Sequence, residues 1–217
     1  MNTNQPIAVL AGTPVDTQMG VDVLVAAGLN GVAYPLSANP REQTLFQVST
    51  PEAKYQFTKE LLKRTMDEGC TKAFVYCNSL SSAVDFPALS KELGMKIVTP
   101  LDVYVDLAPK YKNLAFIAAN AQGLAGIERT LMNSNPQLTT LSAGILPTVF
   151  AIETGMDPVE LVKQEHLVEL TEWFASCGME ALLLGCTHFP YFKKELAERV
   201  SLPLIDPADE MVAMLIG

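Results

Sequence analysis

The sequence predicts an α/β protein built as two pseudo-symmetric three-layer α/β/α halves, each with a parallel sheet and helices on both faces. Three observations predict it. Short apolar strands alternate with amphipathic helices. The alternation occurs twice, with matching landmarks in the same order. The chain, 217 residues with 49% hydrophobic residues, is long and apolar enough for two cores of roughly 100 residues each.

In the first half an apolar strand covers 7–10. The small-residue loop Ala11-Gly12-Thr13-Pro14 follows, then a helix over about 17–27. A longer helix spans 51–68, with Thr50 as N-cap and Pro51 at its first position. Tyr55, Leu61, Leu62 and Met66 form its apolar face, and Gly69 ends it. A continuous apolar strand at 73–76 leads into Cys77-Asn78-Ser79. One helix over 81–93, stopping at Gly94, and a strand at 96–99 complete the half. A helix over 101–108 links the halves, and a last helix over about 207–216 is expected to pack back on the first.

The second half repeats this plan. Ile7-Ala8-Val9-Leu10-Ala11 resembles Leu114-Ala115-Phe116-Ile117-Ala118, and Gly69 and Gly178 each stand shortly before a cysteine, Cys77 or Cys186. Ala8 to Cys77 is 69 positions and Ala115 to Cys186 is 71; Cys77 to Pro100 is 23 and Cys186 to Pro207 is 21. The expected division is therefore 1–99 plus 207–217 carrying Cys77, and 100–206 carrying Cys186, with the active site in a cleft between them.

Composition excludes several functions. There are 15 basic and 24 acidic residues, a formal charge of −9, so a surface that tracks nucleic-acid phosphates is not expected. No apolar run reaches the ~18 residues of a membrane span. The segment MNTNQPIAVLAG lacks a basic leader and a signal-length apolar stretch. Four cysteines in a chain of this length fit a reducing, cytoplasmic setting with free thiols. No Gly-x-Gly-x-x-Gly or P-loop pattern supports nucleotide binding, and Cys-x-His without Cys-x-x-Cys is poor support for a metal site.

Parallel sheets bind ligands at the carboxyl ends of their strands. Cys77 and Cys186 both stand there, each where a helix is expected to begin. A helix N-terminus favours a bound carboxylate and a thiolate. Two like acid–base groups on opposite sides of an acidic C–H suit inversion of a stereocentre, one removing a proton and the other delivering one. Lowering a thiol from about 8.5 to 7 needs roughly 2 kcal/mol, more than the ~0.3–1 kcal/mol of one helix terminus. A further polar partner is therefore expected: His188 for Cys186, and Asp16 or Thr13 for Cys77.

At Cys77-Asn78-Ser79 and Gly185-Cys186-Thr187-His188-Phe189-Pro190 the sequence resembles the cofactor-independent aspartate/glutamate racemase superfamily, in its glutamate racemase-like branch. The segment Pro147 to Gly155 also resembles the racemase stretch that carries an acidic residue near the second cysteine, here Glu153. The resemblance implies that Cys77 and Cys186 are the acid–base catalysts, Cys77 for the D-enantiomer and Cys186 for the L-enantiomer, with His188 and Glu153 tuning Cys186. It implies that Asn78, Ser79 and Thr187 bind the substrate's carboxylate or ammonium. It also implies an amino-acid substrate, no cofactor, no metal and a homodimer. Ser79 replaces the family's threonine. Ala11-Gly12-Thr13-Pro14-Val15-Asp16 replaces its Asp-Ser-Gly loop, so Thr13 and Asp16 are candidates for that place. Tyr34 to Arg41 replaces Pro-Tyr-Gly, which makes Arg41 a candidate for a side-chain carboxylate. Asn120-Ala121-Gln122-Gly123 replaces a threonine-containing loop, which brings in Asn120.

Cys70 and Cys177 read as core residues and His166 as a mid-helix surface residue. The alternatives on the same scaffold are a hydantoin racemase, a maleate isomerase, an arylmalonate decarboxylase, or a non-catalytic small-acid binder.

Overall fold

A computed structural model describes residues 5–217. Residues 1–4, on which the reading of the leader partly rests, lie outside the described residues. The first sheet contains β1 (Pro6–Ala11), β2 (Asn30–Pro35), β3 (Lys72–Val75) and β4 (Lys96–Val98) in the order β2-β1-β3-β4. The second contains β5 (Asn113–Ala118), β6 (Thr139–Gly144), β7 (Leu182–Leu184) and β8 (Leu204–Ile205) in the order β6-β5-β7-β8. Every strand pair is parallel. The connections are helical, as parallel neighbours require. In the first half they are α1 (Pro14–Ala26), α2 (Pro40–Val48), α3 (Pro51–Asp67), α4 (Asn78–Ala83) and α5 (Phe86–Leu93). After α6 (Pro100–Leu107) the second half uses α7 (Ala121–Ser134), α8 (Leu146–Glu153), α9 (Pro158–Gln164), α10 (Leu167–Ser176) and α11 (Pro190–Ala197). The chain ends in α12 (Ala208–Ile216).

The described residues form two units. One runs through Asp102 and takes in Ala208–Gly217; the other is Val103–Pro207. The last helix thus belongs to the first unit, where Lys72 Nζ donates to the Leu215 carbonyl at 2.7 Å. No helix among the described residues is long and apolar enough to cross a membrane.

The central strands form because both of their faces are covered. Ala8, Val9, Leu10, Ala73, Phe74 and Val75 are fully buried, as are Leu114, Ala115, Phe116, Leu182 and Leu183. Each large side chain so buried contributes about 1.5–3 kcal/mol. The edge strands β2 and β6 are unforeseen in the sequence. They carry one buried residue, Tyr34, between them and read as polar and small. The expected helix over 81–93 is two helices, because Val84 takes an extended conformation and the Asp85 carboxylate restarts the helix by accepting from Ala88 N–H at 3.0 Å. Thr50 and Pro51 start α3 as expected, with Ala53 N–H donating to Thr50 Oγ1. Leu61 and Leu62 are buried there, but Met66 is exposed.

Candidate active site

The two cysteine-bearing strand ends share one backbone pattern. In the first half Leu10 pairs with Val75, and Tyr76 N–H donates to the Leu10 carbonyl at 2.8 Å. In the second Ile117 pairs with Leu184, and Gly185 N–H donates to the Ile117 carbonyl at 2.8 Å. Cys77 and Cys186 are the next residues, each at the carboxyl end of the strand third in its sheet's order. Both are buried and neither is in a disulfide.

The backbone beyond the two cysteines differs. Cys77 is the extended N-cap of α4, and its carbonyl accepts from Ser81 N–H at 3.0 Å and Ser81 Oγ at 2.6 Å. Cys186 does not begin a helix. A turn intervenes, closed by Phe189 N–H on the Cys186 carbonyl at 3.0 Å, and α11 starts only at Pro190. The helix-terminus argument thus does not extend to Cys186. Its polar partner is the expected one: Cys186 Sγ lies 3.6 Å from His188 Nδ1, and His188 Nε2 lies 3.0 Å from Glu153 Oε1. The His188 side chain is 3% exposed and that of Glu153, the last residue of α8, is 15% exposed. Thr187 is buried between Cys186 and His188 in sequence.

Cys77 has partners that the sequence reading missed. Gln43 Nε2 donates to Cys77 Sγ at 3.3 Å and reaches Ser79 Oγ at 3.4 Å. Gln47 Nε2 donates to Ser79 Oγ at 2.7 Å. Cys77 Sγ and Ser79 Oγ are 3.5 Å apart. Asn78 is buried beside them in the chain. The two glutamines are four apart, hence on one face of α2. The start of α2 was legible: Asn39 caps it by accepting from Glu42 N–H at 3.0 Å. Nothing local announces that this face meets Cys77. Gly12 makes the meeting possible, since a Cβ there would collide with the Gln43 carboxamide.

Thr13 and Asp16 form a capping box on α1. Asp16 Oδ1 accepts from Thr13 N–H at 2.6 Å and Thr13 Oγ1 at 3.0 Å, and its Oδ2 accepts from Gly12 N–H at 3.2 Å. Both residues are 1% exposed. Asn120 has the corresponding place in the second half, capping α7 by accepting from Gly123 N–H at 3.0 Å. Arg41 is not on a loop; it lies exposed in the first turn of α2.

Two further expectations are corrected. Cys177 is exposed, while Cys70 is buried with its thiol pushed up by burial. Gly69 and Gly178 both take positive φ at a helix end. Cys70 follows its glycine into the core, whereas Cys177 precedes its own and caps α10. His166 is not mid-helix. It is a left-handed residue between α9 and α10, with φ of 53°. Among the described residues no group of three or more His, Cys, Asp or Glu side chains could hold a metal ion.

No family model matches the chain. It is similar to the glutamate racemase of Limosilactobacillus reuteri, 27% identical over 172 residues, which cover 77% of this chain and 64% of that one. The chain thus spans less than two thirds of that relative's length. Its fold is that of the Francisella tularensis glutamate racemase solved with D-glutamate, with a TM-score of 0.77, 19% identity, and coverage of 99% of this chain and 80% of the other. An aspartate racemase homologue from Pyrococcus horikoshii gives 0.71 at 16% identity, covering 98% and 97%. This sequence likeness and this shared two-sheet fold support the aspartate/glutamate racemase superfamily, in its glutamate racemase-like branch, as the family the chain resembles.

Proposed function

We propose that the protein racemises an acidic amino acid, glutamate or aspartate, by proton transfer at Cα between two thiols and without a cofactor. One sulfur, as thiolate, takes the Cα proton from one face. The electron pair left on Cα is delocalised into the carboxylate, and the second sulfur, as thiol, delivers a proton to the opposite face. The thiols end with their protonation states exchanged, so the same pair serves both directions. The observation that carries this reading is the matched placement of Cys77 and Cys186 at equivalent strand ends, each within reach of a polar side chain. The likeness to glutamate racemases supports the choice of substrate. Asn78, Ser79, Thr187 and the capped loops at Thr13 and Asn120 are the groups proposed to hold it, with Arg41 toward a side-chain carboxylate. The same reading takes the working protein as a cytoplasmic homodimer.

The test is incubation with D- and L-glutamate, then D- and L-aspartate, in deuterated water. Cα deuteration and loss of optical rotation are expected with one of these pairs. Cys77→Ser and Cys186→Ser should each lower racemisation by about 10²–10⁴-fold. Exchange that persists undiminished in both variants rejects the role given to the thiols.

A further inference from the structure

We propose that the resting protein is asymmetric: Gln43 and Ser79 hold Cys77 as the thiolate, while Cys186 faces Nδ1 of His188. This rests on the reading of the two cysteines as proton carriers and adds which of them starts with the charge.

On the first side the sulfur faces donors. The Gln43 amide nitrogen, 3.3 Å from Cys77 Sγ, donates and does not accept. Ser79 has one hydroxyl proton and two lone pairs. Gln47 and Gln43 both direct amide N–H groups at its oxygen, at 2.7 and 3.4 Å. Its lone pairs are thereby taken, and its proton is left for the sulfur 3.5 Å away. Two donors converging on one sulfur favour the anion. Gly12 keeps the arrangement in place by leaving room for the Gln43 carboxamide. The charged groups beside Gly12 and Gln43 in the chain are Asp16, Arg41 and Glu42. The Asp16 carboxylate accepts from Gly12 and Thr13. Glu42 bonds Ala38 N–H and Asn39, and Arg41 is exposed.

On the second side the sulfur faces an acceptor. A carboxylate only accepts, so His188 Nε2, 3.0 Å from Glu153 Oε1, carries the imidazole proton. When the ring is neutral Nδ1 is an acceptor, and the Cys186 thiol 3.6 Å away is a group that can donate to it. Glu153 is the charged group behind the imidazole and acts through it.

The test is a pH titration of far-ultraviolet thiolate absorbance in the full chain, free of substrate, with circular dichroism to follow folding. The band with the lowest midpoint should vanish in Cys77→Ser and persist in Cys186→Ser. Gln43→Leu should raise that midpoint by about one pH unit, a tenfold loss of thiolate at a fixed pH below it. Gln43→Glu, nearly isosteric and therefore informative if the leucine variant does not fold, should raise it further, because a carboxylate then faces the sulfur. A role limited to packing would leave the midpoint in place. The proposal is overturned if the low band belongs to Cys186, if no such band exists, or if Gln43→Glu leaves the Cys77 midpoint unmoved. Since the titration needs no turnover, a Cys77 band in a protein that racemises nothing would support the charge placed on Cys77 and reject the proton-carrier role, so the two failures are told apart.

Discussion

Set side by side, the two halves reach the same backbone by opposite packing. Beyond β3 stands the buried Tyr76, and the helix facing it leaves room with Gly20, whose Cβ would lie 2.8 Å from Tyr76 Cβ. Beyond β7 stands Gly185, and the facing helix supplies Ile127, whose Cδ1 occupies the space a Cβ at 185 would need. Large against small has become small against large, which conserves volume and leaves the following cysteine on the same backbone trace. The thiol environments have diverged in the same way: two glutamines and a serine on one side, an imidazole and a carboxylate on the other. A duplicated frame therefore fixes where a sulfur stands but not what stands beside it.

The contrast is most directly tested at Gly185. Gly185→Ala places a Cβ 2.7 Å from the Ile117 carbonyl oxygen as well as against Ile127. It should destabilise the protein by about 1–3 kcal/mol in chemical denaturation. Adding Ile127→Val should recover only part of this, because the β5 carbonyl is fixed in the sheet. Full recovery would show that the side chain alone sets the limit. Next is the Cys186–His188–Glu153 relay. Glu153→Gln keeps a polar group beside His188 and removes the charge, and we expect racemisation to fall about tenfold with a displaced pH profile while the Cys77 midpoint stays in place. A shift at Cys77 would mean that the two environments are not separate.

The smallest effect concerns Glu180, which accepts from Lys112 and Asn113 N–H groups at 2.7 and 3.0 Å where β5 begins. These backbone hydrogen bonds hold its carboxyl below the ordinary value. Its stabilisation is therefore complete above the unfolded value of about 4.3 and fades as pH falls through the lowered folded value. Glu180→Gln should lower the melting temperature slightly at neutral pH and flatten its acid dependence. An unchanged acid slope would place that dependence elsewhere.

Much of this was legible because the central strands announce themselves. Continuous apolar runs at β1, β3, β5 and β7 admit one kind of sheet, and the Cys186 to His188 spacing brought the imidazole within reach of sequence reasoning, while Glu153 came from the resemblance of its segment to racemases. The edge strands β2 and β6 were illegible because an edge need not be apolar. Gln43 was illegible for another reason. Its helix could be found from Asn39 and Pro40, but its contact with Cys77 spans 34 positions and depends on how α2 packs, which no local pattern encodes. Cys177 misled because one step across a left-handed glycine separates core from solvent.

Gln43 reaches its sulfur from α2, a nine-residue helix on a different segment from the strand that bears the thiol. A drift of that helix by about an ångström would stretch a 3.3 Å contact beyond useful length. Proton affinity at one atom thereby becomes a gauge of the position of a whole helix, and spectroscopy of a single sulfur could follow the motion of a segment that holds no reacting group.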